Sequence, residues 1–289
     1  MRFIVSFVCL FLITATVAGA EDYQIKIVRP DKVGDEYTTS ITASVSQTFQ
    51  KNLYDDDDSK KTDSFTAACQ GNLKVLAVDE KGKFATRIRF QVDSMTKNEK
   101  ELYPEGTVII AKIVEKETTF EIDGVSPDDE HEAVLQALLN LTAPNGITNE
   151  DETNGTDKSQ KVGDTWPINA DKLKKELGGR DGNPSIASQI SGESKLVSIK
   201  DVSGTQAMVI KSTVTANGVK KDLPDGSSIS DGKITSDITA VYPVDPALPI
   251  ISLQTKVSMT LTMVPHFGNN KSVWTIKRDR KERREPVTP

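Results

Sequence analysis

Imidazole and thiol, the side chains most often recruited for metal binding and acid–base work, are nearly missing from this chain. It has two His and two Cys among 289 residues. His131-Glu132 opens a helical stretch but lacks a second His one turn later, so the zinc-protease pattern fails. His131 reads as a first-turn surface residue and His266, between Pro265 and Phe267, as a loop residue. No Gly-x-Ser-x-Gly elbow and no phosphate-cradling glycine loop is present. Ser94-Met95-Thr96-Lys97 matches Ser-x-x-Lys but ends a strand pattern instead of opening a helix, and no Lys-Thr-Gly or Ser-Asp-Asn follows. The run 55–58 is four consecutive Asp residues without the Gly and closing Glu of a calcium loop, and reads as a solvated hairpin tip. These gaps leave no expected metal, no cofactor and no catalytic residue. Paired carboxylates on distant strands are the one catalytic arrangement still open.

Long apolar runs are also scarce, with one exception at the start. Met1-Arg2, an apolar run over 3–17 and Ala18-Gly19-Ala20 form the three parts of a secretory leader, with cleavage expected before Glu21. The apolar run is shorter than the roughly 20 residues of a spanning helix, so no transmembrane segment is expected after cleavage. Export implies the periplasm or the extracellular space. Cys9 leaves with the leader, so Cys69 is the one remaining thiol and no intrachain disulfide can form. Cys69 shares a period of two with Phe65, Ala67, Leu73 and Val75, as a small core residue would. The net charge of −6 becomes one unit more negative when Arg2 is removed, which argues against general nucleic-acid binding.

What the sequence has in abundance is alternation. Ile41, Ala43, Val45 and Phe49 alternate with Thr42, Ser44, Ser46 and Thr48, and Ile88, Phe90 and Val92 alternate with Arg87, Arg89 and Gln91. Val257, Met259, Leu261 and Met263 repeat the pattern late in the chain, and strand periodicity begins already at Gln24. One face in a core and one in water is the habit of antiparallel sheets. Turns are expected at Asp79-Glu80-Lys81-Gly82, Asn217-Gly218, Asp123-Gly124, Asp231-Gly232 and Gly268-Asn269-Asn270. The fold class predicted is mainly β, with long antiparallel strands in two similar meanders as a sandwich or half-barrel.

Two stretches interrupt the strands. Ser126-Pro127-Asp128-Asp129 supplies a cap, a Pro at the first helical position and acids in the first turn, predicting a helix near 127–141. A shorter helix near 170–177 is capped by Asn169 and stopped by Gly178-Gly179. Residues 143–160 are rich in Asn, Asp, Glu, Gly and Thr and read as a polar linker. The expected division is therefore a leader over 1–20, a first meander over 21–142, the linker, and a second meander over 161–289. The basic run 277–284 reads as a frayed, soluble C-terminal tail.

Lys32-Val33-Gly34-Asp35-Glu36-Tyr37 and Lys161-Val162-Gly163-Asp164-Thr165-Trp166 open the two meanders with nearly the same string. In each, a Gly suited to positive φ precedes an Asp able to bond its own turn, and an aromatic ring follows as an anchor. Gly34, Asp35, Tyr37, Gly163, Asp164 and Trp166 are thus the residues singled out, in a structural role.

These two openings, the segment Phe120-Glu121-Ile122-Asp123-Gly124-Val125 and the helix after it resemble a loose group of bacterial exported, strand-rich proteins of the domain-of-unknown-function kind. The resemblance implies a strand-rich fold in the cell envelope without an established activity, and it carries over no catalytic residue. The function expected is a non-catalytic binding or interaction module whose concave sheet surface takes an apolar or polymeric ligand, possible partners being a lipid or an envelope polymer, with Met208, Met259 and Met263 adapting to its shape. A hydrolase of an envelope polymer using paired carboxylates, and a structural or assembly protein acting through strand edges, are the alternatives. The sequons at Asn140, Asn154 and Asn270 matter only in a eukaryotic secretory route.

Overall fold

A computed structural model describes residues 21–51, 60–80, 82, 84–115, 117–141, 150–179, 187–222, 227–264 and 271–287. The leader, the 55–58 Asp run, His266 and the 268–270 turn lie outside these residues. The elements in order are β1 (Glu36–Lys51), β2 (Lys60–Val78), β3 (Ala85–Lys97), β4 (Lys100–Tyr103), β5 (Val108–Val114), β6 (Glu117–Ile122) and α1 (Asp129–Leu139). They continue as α2 (Glu150–Thr153), β7 (Thr165–Pro167), α3 (Ala170–Gly179), β8 (Gln189–Val202) and β9 (Thr205–Asn217). The last four are β10 (Lys221–Asp222), β11 (Ser228–Pro243), β12 (Ser252–Val264) and β13 (Ser272–Pro286).

The class is mainly β and antiparallel, as the alternation predicts, and the thirteen strands form one open sheet. Its order is β6-β5-β3-β2-β1-β13-β12-β11-β9-β8-β7, with β4 on β3 and β10 on β11. The two meanders therefore join side by side, the last strand of the second pairing with the first strand of the first over fifteen residue pairs from Tyr37↔Pro286 to Lys51↔Ser272.

That pairing corrects the reading of 277–284 as a frayed tail. β13 is a central strand, bonded to β1 on one side and β12 on the other. Its register places Arg280 opposite Ala43, Glu282 opposite Ile41 and Arg284 opposite Thr39. Paired residues share a face, so these three charges point toward the core while Lys277 and Lys281 point outward and are exposed.

The two openings are the same structure built twice. Gly34 and Gly163 have φ of 95° and 100°. Asp35 and Asp164 accept from the amides of Lys32 and Lys161 at 2.9 and 2.8 Å. The Gly34 amide donates to Val75 O and the Gly163 amide to Leu196 O, while Val75 and Leu196 donate back to Asp35 O and Asp164 O. Each turn thus starts its strand against the neighbouring one, and Tyr37 and Trp166 are buried just beyond.

Of three other expected turns, one forms and two depart from expectation. Asp123 and Gly124 both take positive φ and close Ile122 onto Val125. Asp231-Gly232, by contrast, lies inside β11 at a bulge, with Gly232 buried against Leu261 and Val219. At Asn217-Gly218 only Gly218 has positive φ, and the chain leaves β9 without a direct hairpin. The paired positive φ values of a type I′ hairpin occur instead at Asn98-Glu99 and Ser203-Gly204.

α1 is capped by Asp128, whose side chain accepts from the His131 amide, so the cap stands two residues later than Ser126. Val134, Leu135 and Leu138, all fully buried, cover the face carrying Ile41, Cys69, Phe90 and Ile109. Cys69 is a core residue, its thiol pushed up to about 12 by burial. α3 begins at the Asn169 cap, which accepts from the Lys172 amide.

The end of the expected linker is also structured. α2 occupies Glu150–Thr153, Thr153 and Gln160 are buried, and Gln160 exchanges two backbone hydrogen bonds with Tyr23. The segment folds back onto the start of the chain through the backbone of Gln160 and the side chain of Asp151, which accepts from the Ile27 and Val28 amides.

Candidate functional site

Residues 23–31 cross the inner face of the second half as an extended strap. Ile25 and Ile27 bury into a cluster with Trp166, Leu196, Met208 and Tyr242. Polar ties hold the strap at intervals. Asp151 of α2 accepts from the amides of Ile27 and Val28. Arg29 Nη2 donates to Pro243 O at 2.7 Å, and the Ala85 amide donates to Asp31 Oδ2 at 2.9 Å. Asn154 O receives the Trp166 indole N–H at 2.8 Å, fixing the anchor ring of the second opening.

Beneath the strap lies a cavity of about 410 Å³. Its floor is the inner face of β9, β11 and β12, where Ile210, Ile238, Ala240 and Leu253 contribute apolar surface. One wall is the charged stretch of β13, and the end of α1 closes the side toward the first half through Asn140 and Leu141. The volume falls in the range of about 300–1,000 Å³ typical of small-molecule sites.

The charged wall is a chain of ion pairs. Glu282, 5% exposed, is held by Arg280 Nη2 at 2.7 Å and by Arg284 Nε. Arg284 Nη1 lies 3.7 Å from Asp31 Oδ1, which joins the strap to the network, and Arg280 donates to Leu138 O at 2.9 Å, which joins it to α1. Burial alone would raise the Glu282 carboxyl, but the two guanidinium groups outweigh it and bring it down to about 2. Asp31 moves the other way, raised chiefly by burial because its one cation is distant. Arg29 is lowered by burial; its Nε and Nη1 are shielded from solvent and have no partner.

Away from the strap the same face runs on uncovered. Val257, Met259, Met263, Trp274 and Ile276 are half-buried, and Phe49 is 39% exposed. Gln47, Phe49, Met263 and Trp274 border an open hollow of about 620 Å³ at that end. The alternation that predicts Val257, Met259, Leu261 and Met263 as core is correct in facing, yet of the four Leu261 alone is buried.

Of the residues singled out in sequence, the six turn and anchor residues start strands and none lines the cavity. Met208 is buried core, whereas Met259 and Met263 lie on the uncovered face. His131 sits in the first turn of α1, its Nδ1 at 2.6 Å from Asp128. Ser94 and Lys97 lie in β3, where a strand holds them, and no helix presents the pair. The residues that sequence reasoning misses are Arg29, Asp31, Arg280, Glu282 and Arg284. Alternating charge at 280, 282 and 284 is their one local signal. Among the described residues no group of three or more His, Cys, Asp and Glu is placed to hold a metal, and no helix is long and apolar enough to cross a membrane.

No family model and no curated protein matches this chain. Among solved structures, a lipovitellin described for its lipid–protein interactions aligns at 9% identity with a TM-score of 0.35, covering 89% of this chain and 26% of the other. An engineered protein studied for asymmetric conductivity aligns at 9% identity and a TM-score of 0.19, covering 84% and 99%. Both are too distant to carry an argument about fold or function.

Proposed function

We propose that this chain is a non-catalytic, exported binding protein of the cell envelope that holds an apolar or amphipathic ligand against the inner face of its second half. The observation that supports the reading most is a face built with core side chains yet only partly covered. Val257, Met259, Trp274 and Ile276 occupy core-facing positions and remain half in water. Fully burying one such side chain is worth about 1.5–3 kcal/mol, and here part of that stabilisation is left for a second molecule to supply. The cavity beneath the strap adjoins this face at its covered end. An envelope polymer remains the alternative ligand on the open part of the face.

The test is to incubate purified mature protein with a total lipid extract, re-isolate it by gel filtration and identify what it carries by mass spectrometry. Stoichiometric retention of lipid is expected, together with displacement of an apolar fluorescent dye. Recovery of bare protein that fails to bind the dye would refute the reading.

One specific observation favours a hydrolase as the second reading. Asp31 and Glu282 line the same cavity, and their carboxyls are shifted in opposite directions. Arg284 pairs with both, which directs their charge into an ion network and places this reading second. Turnover of an ester or glycoside that disappears in Asp31→Asn would reverse the ranking.

A further inference from the structure

The charges around the cavity do not balance. Three guanidinium groups, of Arg29, Arg280 and Arg284, line it against the two carboxylates of Asp31 and Glu282, an excess of one positive charge in the lining itself. Arg280 and Arg284 are both committed to Glu282. Arg29 is the group left over. Its ring contact with Tyr242, 5.4 Å from the guanidinium carbon to the centroid, and its bond to Pro243 O hold it in place. Its Nε and Nη1 are nevertheless out of water and unpartnered. Asp151 and Asp245, outside the lining, supply negative charge to it through space, and both accept backbone amides, Asp151 from Ile27 and Val28 and Asp245 from Ala247. A positioned guanidinium whose Nε and Nη1 lack an acceptor, beside the apolar side chains of Ile210, Ile238, Ala240 and Leu253, is complementary to an oxyanion attached to a hydrocarbon chain.

We propose that the cavity beneath the strap receives the anionic head of an amphiphile, a carboxylate or phosphate that accepts from Arg29, while its chain lies over Ile238 and Leu253 toward the uncovered face. This rests on the binding reading above and specifies its ligand class. Neutral lipids lack a charged acceptor, and small anions lack the chain that the apolar side chains would take up.

Titration calorimetry with palmitate, methyl palmitate and inorganic phosphate on the mature protein tests it. Palmitate is expected to bind and methyl palmitate to bind about 10- to 100-fold more weakly, the range for losing a charge-assisted hydrogen bond. Phosphate alone is expected not to bind measurably. Arg29→Gln should weaken palmitate to the level of the ester and leave the ester unchanged, and Arg29→Lys should recover part of the difference. Ile238→Trp, which fills the cavity from β11, should block palmitate with the unfolding midpoint of the protein preserved. Equal binding of palmitate and ester, or no effect of Arg29→Gln, would overturn the assignment of the head group and leave the binding reading standing. Phosphate binding as tight as palmitate would overturn it in favour of a small-anion site. Failure of palmitate, ester and lipid extract alike would overturn the binding reading itself.

Discussion

The two halves of the sheet start from the same turn and are covered by different means. Over the first half lies α1, whose Val134, Leu135 and Leu138 are fully buried against β1, β2 and β6. Over the second half lies an extended strap that contributes Ile25 and Ile27. A helix with its side chains is about 10–12 Å across and fills the space above a sheet, whereas a single extended strand is thinner. The helix leaves a packed core, and the strap leaves a cavity of about 410 Å³. The difference teaches that a duplicated scaffold can be packed shut in one copy and keep a cavity in the other according to what lies across it. β13 joins the two, and its ion network reaches α1 through Arg280 and the strap through Arg284.

The largest expected effect therefore lies at the joint. Glu282→Ala leaves Arg280 and Arg284 facing each other without their shared partner and should cost about 3–5 kcal/mol in urea unfolding. The same residue sets a pH dependence. Its folded pKa of about 2 lies below the unfolded value of roughly 4.3, so its contribution is full above the unfolded value and is lost as pH falls through about 2. Asp31, raised in the folded state, contributes in the opposite sense: its stabilisation is present below its unfolded pKa and is lost as pH rises through the folded one. Unfolding midpoints measured from about pH 6 to 2 should fall with acid in the wild type, and Glu282→Gln should flatten the curve.

The next effect compares the two covers directly. Leu138→Ala, in the packed half, should cost about 2–5 kcal/mol. Ile238→Ala, facing the cavity, should cost about 1 kcal/mol or less, because its side chain has space on one side already. Equal costs would mean that the second half is as tightly filled as the first. A further comparison tests the duplication. Gly34→Ala and Gly163→Ala should each cost about 1–2 kcal/mol, and by nearly the same amount, since both take positive φ and neither has an atom within 4 Å of an added Cβ. A marked inequality would show that the two turns are not equivalent.

How much of this was legible follows from where the signals lie. The strands of the first half are readable because apolar and polar residues alternate cleanly at Ile41, Ala43 and Val45, and α1 because its cap and apolar side are local. β13 hides because its core-facing residues are charged: a buried ion network gives an Arg-x-Glu-x-Arg run the hydropathy of a tail. The strap shows only Tyr23, Ile25 and Ile27 in alternation, which marks extended chain but not its position across the sheet. Residues 150–160 read as linker because their role is carried by the polar side chain of Asp151 and by main-chain bonds of Asn154 and Gln160, which leave no apolar pattern. The cavity has no sequence signal of its own, since its walls come from the strap, the start of β3, the residues after α1 and α2, and four strands of the second half.

The most direct test of the claim that the strapped half is the binding half is photo-crosslinking with a diazirine-bearing fatty acid, followed by peptide mapping. Adducts on the strap at residues 27–29 and on the inner face at Ile210, Ile238 or Leu253, suppressed by excess palmitate, are the predicted result. Adducts on outward positions such as Thr42 and Lys281, or labelling that palmitate does not suppress, would contradict it.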